Sequence, residues 1–343
     1  MPTSCLTLFL LAATLVACAP LPSGRVADAP SPEARRKLEP AAGRVLHGAG
    51  QSREAFARYV ETVGPGKPVL HMSYVGLREP ERVTAFFARL SADLARYEPH
   101  HLIPQIGVSM TAEGSRPNRY EHRVAAGELD ASLDALVDGL RALGRPAFLR
   151  LGYEFNGQWN GYVPDAYKEA WRRVAGALRA AGLGEVALVW CWTPDGRDRE
   201  FMSFYPGDEW VDWWAVDIFN RVHFDDGQVE AFMREARRRR FPVMLGETTP
   251  RKVGVLEGER SWDLWFRPFT AFVRRHPHLK AISYISEDWA RYPRWKDWGD
   301  ARPWREPTVL RRWMEELADP RYVHAAELAA VRAALGLPPI ETR

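Results

Sequence analysis

A chain of 343 residues, 46% hydrophobic and 27% charged, has ample material for a packed core, which excludes an extended disordered protein. Its 47 Lys and Arg nearly balance 44 Asp and Glu for a formal charge of +3, and no basic tract is interleaved with aromatics, so a nucleic-acid partner is excluded. Three cysteines without CxxC spacing exclude a disulfide framework and a thiolate metal site.

Residues 1–17, MPTSCLTLFLLAATLVA, carry no charged side chain and end in an apolar run before Cys18. Leu15-Val16-Ala17-Cys18 looks like a bacterial lipobox, which predicts a signal peptide over 1–17 and lipidation of Cys18. The apolar run is too short for an ordinary membrane span, so the expectation is a lipid-anchored protein at the outer membrane or cell surface. Plain secretion is the alternative, because no Lys or Arg precedes the run. Residues 18–40 are rich in Pro, Ala and Arg without periodicity and read as a flexible tether. Cys5 lies in the segment to be removed, and Cys191 reads as a small buried apolar group.

From residue 41 onward, strand-like runs alternate with helix-like stretches. Strands are predicted at 43–48, 68–74, 101–108, 147–154, 186–192, 213–219, 241–247 and 280–287, with helices at 52–63, 79–97, 129–143, 166–181, 227–240 and 261–275. The segment 193–212 reads as a loop with a short helix, and the tail from 305 to 343 as helices packed outside. Eight strands predict an α/β fold, a single-domain (β/α)8 TIM barrel over 41–343. A doubly wound open sheet is the competing arrangement, but neither GxGxxG nor GxxxxGK[ST] follows the first strand.

Barrel active sites form at the C-terminal ends of the strands. Glu154 ends the fourth predicted strand and Glu247 the seventh. Alternation puts Arg150, Gly152 and Glu154 on one face, and Val243, Leu245 and Glu247 on one face. Paired carboxyl groups suit glycoside hydrolysis, in which one protonates the leaving oxygen and the other attacks or activates water. A count of 14 Trp points the same way, because indole faces stack on sugar rings as well as in cores.

RLGYEFNGQWNGY (150–162) resembles the acid/base motif of family 26 glycoside hydrolases of the β-mannanase type, roughly Arg-x-x-His-Glu-x-Asn-Gly-x-Trp. Arg150, Glu154, Asn156, Gly157 and Trp159 match it. GRVLHGAGQSREAFARYVETVG resembles the family's first strand and helix, FPVMLGETTPR (241–251) its nucleophile strand, and AISYISEDW (281–289) its eighth strand. The likeness spans about 43–315. It implies a retaining mechanism on a β-linked polysaccharide, mannan first, with β-1,3-xylan, mixed-linkage glucan or an exopolysaccharide as further options. Glu154 is then the acid/base and Glu247 the nucleophile, with Arg150 reaching across to assist it. The family's His before the acid/base is Tyr153 here, and its tyrosine after the sixth strand is Phe219 or is displaced to Asn220.

Asn156, Trp159 and Asn220 are expected to line sugar subsites, Trp289 to stack on the sugar, and Trp192 to be the ligand-facing Trp of the fifth strand. Asp217 either orders a loop or meets sugar; Glu287 and Asp288 read as solvated loop acids before substrate contacts, Tyr284 as core or as support behind the site, and His71 as a satisfied barrel histidine before a sugar contact. Arg237 to Arg240 read as a solvated helix end. The chemistry needs no metal and no cofactor, and a monomer is expected. A non-catalytic glycan-binding lipoprotein on the same barrel is the alternative function.

Overall fold

Eight parallel strands follow one another around the sheet in chain order, and the first pairs with both the second and the eighth, closing a barrel. The computed structural model describes residues 1, 35–112, 119–196 and 200–339; most of the predicted signal peptide, with Cys5, and most of the predicted tether, with Cys18, lie outside the described residues. The strands are β1 (Val45–Gly50), β2 (Leu70–Gly76), β3 (Ile103–Ser109), β4 (Ala147–Leu151), β5 (Val186–Trp192), β6 (Trp213–Ile218), β7 (Val243–Thr248) and β8 (Leu279–Ile285). Between them lie α1 (Arg53–Val63), α2 (Pro80–Ala95), α3 (Tyr120–Ala125), α4 (Asp130–Leu143), α5 (Pro164–Ala180) and α6 (Gly227–Arg238). After β7, α7 (Glu259–Ser261) runs through a π turn, Trp262–Phe266, into α8 (Arg267–Arg275). The tail supplies α9 (Pro307–Leu317), α10 (Leu328–Ala334) and a two-residue strand, β9 (Tyr322–Val323), parallel to β1, which sequence patterning missed.

Helix ends follow local chemistry. Ser52 caps α1 by accepting from Ala55 N, and Asp226 caps α6 through Gln228 N and Val229 N. Proline occupies the first turn of α2, α5 and α9, where no amide donor is missed. One face of each long helix is buried; α5 uses Tyr167, Trp171, Val174 and Leu178, at helical spacing.

The barrel interior has an apolar lower half and a polar upper half. Leu46, Leu70, Ile103, Phe148, Ala187, Trp213, Met244 and Ala281 form the lower plug. Leu38 joins it at 2% exposure, Lys37 Nζ meets Val186 O and Asp212, and Trp213 Nε1 donates to Lys37 O at 2.7 Å. Residues 35–40 are therefore part of the fold and not of the tether, because Leu38 has apolar surface to cover at the base of the barrel. Above the plug, Gln105 spans the interior, donating to Gly246 O at 2.8 Å and accepting from Ser283 Oγ.

Two local departures position the site. β4 ends at Leu151, so Glu154 stands three residues beyond the strand and not on its alternating face. In β7, Val243 and Leu245 face the helices, within the outer core. The pairing with β8 slips between Leu245 and Thr248, and this bulge turns Glu247 inward to Arg150. Glu247 thus does not share the face of Val243 and Leu245.

Candidate active site

Arg150 points inward from β4 and is fully buried. Its Nη1 and Nη2 each donate to Glu247 Oε1 at 2.9 Å, and Nη2 donates to Asp217 Oδ2 at 2.5 Å. Gly246 leaves room for this guanidinium: a Cβ there would lie 2.8 Å from Arg150 Nε and 2.6 Å from Asp217 Oδ1. One guanidinium cannot neutralise two carboxylates. Burial pushes the Asp217 carboxyl up, Arg150 pulls it down, and the Glu247 charge adds to the rise. Glu247 Oε2 has no hydrogen-bond partner among the described residues, whereas its Oε1 is held twice.

Glu154 reaches the same mouth from the loop after β4. The chain turns there through two left-handed residues, Gly152 at φ 53° and Glu154 at φ 50°. A side chain at Gly152 would strike the Tyr167 ring at 2.6 Å, and a non-glycine residue at positive φ marks stored strain at Glu154. Asn160 fixes the turn, its Nδ2 donating to Tyr153 O at 2.9 Å and Glu154 O at 3.0 Å, and Gly157 N donates to Glu154 O at 2.8 Å. Trp159 Nε1 donates to Glu154 Oε2 at 2.7 Å. Burial raises the Glu154 carboxyl well above the usual range, and the charges of Asp217 and Glu247 raise it further, against Arg150 and the Trp159 bond. This is the environment of a carboxylic acid that keeps its proton.

The charge of Glu247 is thus felt at Glu154, but several predicted partners lie elsewhere. Arg150 is a buried partner of Glu247 and has no surface for sugar. Asn156 is 5% exposed and clips the β4 loop to Thr193, accepting from its N at 3.1 Å and donating to its O at 2.8 Å; it does not line a subsite. Trp192 is on the outer face of β5, stacked on Phe232 at 5.2 Å beneath α6, because the inner face of that strand carries Ala187, Val189 and Cys191. The Trp192 ligand reading is thereby corrected. Asn220 is half-exposed at the end of β6, its side chain accepting from Val222 N at the cap of the turn Arg221–Asp225. Trp289 is 4% exposed and donates to Thr249 Oγ1 at 3.0 Å, so it is the packed centre of a rim cluster with Tyr292, Trp295 and Trp298. Of that cluster, the half-buried Tyr292, Trp295 and Trp298 retain surface.

Asp217 belongs to the Arg150 ion pair. Glu287 is buried, facing Ser52 N and the Tyr292 hydroxyl, so it is not a solvated loop acid; Asp288 pairs with Arg302. His71 packs edge-on against Phe56 on the helix side of β2, and the buried Tyr284 donates to Ala301 O. Sequence reading overlooked Tyr74, whose ring lies 5.5 Å from that of Tyr153, and Asn160; alternation along β2 puts Tyr74 inward, and that signal was there to read.

A family model described as Glycosyl hydrolase family 26 matches residues 115–236, which contain Glu154 and Asp217. Beta-1,3-xylanase TXYA from a Vibrio species is 27% identical over 325 residues, covering 86% of this chain and 69% of that protein. The chain is thus similar, at low identity, to glycosyl hydrolase family 26. A beta-1,3-xylanase from an Alcaligenes species is 28% identical over 256 residues, 66% of this chain and 52% of that protein. Among solved structures, the family 26 β-mannanase BoMan26A of Bacteroides ovatus superposes with a TM-score of 0.60 at 16% identity, covering 85% of this chain and 92% of that one. The Bacillus subtilis mannanase man26 gives 0.54 at 16% identity, with 73% and 82% covered. At such identities the mannanase likeness is one of fold. The likeness to family 26 supports a glycoside hydrolase acting on β-glycans.

Proposed function

We propose that the chain is a retaining glycosidase of a β-linked polysaccharide, with Glu154 as acid/base and Glu247 as nucleophile. The observation that carries this reading is that each carboxyl group is held by one oxygen and offers the other. Arg150 holds Glu247 Oε1 and leaves Oε2 for attack; Trp159 holds Glu154 Oε2 and leaves Oε1 for proton transfer. In the first step Glu247 Oε2 bonds to the anomeric carbon while Glu154 protonates the departing oxygen. In the second, Glu154 takes a proton from the water that cleaves the ester. A raised Glu154 carboxyl suits the first role.

For the substrate, the two beta-1,3-xylanases at 27% and 28% identity favour β-1,3-xylan over mannan. Tyr74 and Tyr153, paired at 5.5 Å with Arg150 5.0 Å from the Tyr153 ring, wall the mouth where the mannanase-type motif has histidine. The test is a screen on β-1,3-xylan, mannan, xyloglucan and mixed-linkage glucan with wild type, Glu154→Gln and Glu247→Ala. The reading expects hydrolysis of one β-glycan and its loss by about a thousandfold or more in both variants. Full activity in either variant overturns the assignment.

The further reading of the N-terminus is export as a lipoprotein acylated at Cys18, with the barrel anchored to the membrane or cell surface. Metabolic labelling with a palmitate analogue is expected to tag the wild type and not Cys18→Ser.

A further inference from the structure

We propose that Trp159 is a positioning residue that confines the acid proton of Glu154 to Oε1, the oxygen left free for the leaving group. This rests on the reading of Glu154 as acid/base. An indole N–H can only donate, so Glu154 Oε2, 2.7 Å from Trp159 Nε1, must be an acceptor in every protonation state. When the carboxyl group carries its proton, that proton is favoured on Oε1, because a carbonyl oxygen accepts the indole N–H better than a hydroxyl oxygen does. Without the indole it is shared between two oxygens, one of which faces the protein.

The loop is built to make this contact. Glycine at 157 is required by the indole itself, since a Cβ there would lie 2.5 Å from Trp159 Cε2 and 2.8 Å from Nε1. Asn160, one residue further, ties back to the carbonyls of Tyr153 and Glu154, so acid, indole and anchor share one turn of seven residues, Glu154 to Asn160. Glu154 is held at positive φ by the same turn. In the first step the Oε1–H bond breaks as the hydrogen bonds to the glycosidic oxygen, whose bonding pair to carbon leaves with it. Water returns a proton to Oε1 in the second.

The contact also favours the ionised form of Glu154, against its burial. Trp159→Phe keeps the ring and removes the donor. The expected result is a loss of about tenfold in kcat/KM on the polysaccharide, a fraction of what general acid catalysis supplies. An aryl glycoside whose leaving group needs no proton is expected to change by less than about twofold. The alkaline limb of the pH profile moves to higher pH. Gly157→Ala, which pushes the indole off the carboxyl group, is expected to move that limb the same way and keeps the test open if the first variant fails to fold. Equal losses on both substrates, or an unmoved limb in both variants, overturn the proposal. Glu154→Gln is run beside them. If it shows no selective loss on the polysaccharide, the reading of Glu154 has failed; if it does and Trp159→Phe does not, only the role of Trp159 has failed.

Discussion

Arg150 is bound on two sides by carboxylates, Asp217 and Glu247, in a site where neither Arg150 nor Asp217 has exposed surface. Removing the cation leaves the Glu247 charge without its partner, beside an Asp217 carboxyl that burial already pushes up to about 8, and breaking a buried pair typically costs about 3–5 kcal/mol. Arg150→Met is therefore expected to lower the unfolding free energy by about that much at neutral pH and to abolish activity. Its stability deficit should shrink in acid, where the carboxylates take up protons; a deficit independent of pH would contradict the charge argument. Glu154 gives a second pH signature. Its carboxyl group is raised by burial, then by Asp217 and Glu247, so the acid form persists above the ordinary carboxylate range and is lost as pH rises through its own pKa. In kcat/KM against pH, activity on an unactivated glycan should fall on the alkaline side, and Asp217→Asn, which removes one of the charges, should bring that fall to lower pH.

At the level of elements, the strands were readable in the sequence because their apolar runs are separated by helical periods, and all eight lie within a few residues of their predicted places. The face that each functional residue takes was less readable. Trp190 and Trp192 do share a face, as alternation requires, but whether it turns to the axis or to the helices depends on register, which a single strand does not specify. Glu247 reaches Arg150 only because β7 bulges, and the one signal of it in Val243–Thr248 is Gly246, which the alternation reading passed over. The Arg150 and Glu154 motif carried its own signal, whereas the short β9 pairs through two residues only.

β9 and α9 are joined to β1 and α1 by a chain of hydrogen bonds whose protons can be placed. Trp313 Nε1 donates to Tyr59 Oη at 2.8 Å, and His324 Nε2 must donate to Leu317 O at 2.9 Å. That leaves His324 Nδ1 to accept from His47 Nδ1, 3.2 Å away, and His47 Nε2 to accept from Tyr59 Oη at 2.9 Å. Both histidines are neutral in this order, and another proton sets two N–H groups head to head or takes the Tyr59 hydroxyl off its acceptor. Burial lowers the His47 pKa well below 6.5, with the His324 charge acting in the same direction, and burial lowers His324 too. The unfolded chain binds protons that the fold refuses, so this contribution to stability is whole above about pH 6.5 and is lost as pH falls below it. Thermal melting should show a drop in Tm over that range, reduced in His47→Asn; Tyr59→Phe should cost about 1–3 kcal/mol through the donor and acceptor it strands. A Tm flat through pH 6 would contradict the proton order.

On the scale of the whole molecule, the barrel separates two tasks. Its lower half is an apolar plug closed by Leu38 and by Val331 and Leu335 of the tail, and its upper half holds the charged cluster. The polar upper half was legible as a mouth with two glutamates; the closure of the base was not, because residues 35–40 have the composition of a linker and only Leu38 and Pro40 among them are buried. Leu38→Ala is expected to destabilise by about 2–4 kcal/mol without changing kcat, read by denaturant unfolding beside steady-state rates. The account stands on Glu247 as the atom donor to a covalent intermediate. The direct measurement is mass spectrometry after incubation with a 2-deoxy-2-fluoro glycoside of the sugar that the polysaccharide screen identifies. One added glycosyl group on the peptide containing Glu247, and none in Glu247→Ala, is the predicted result; an unlabelled enzyme releasing product of inverted configuration, or a label on another residue, would contradict it.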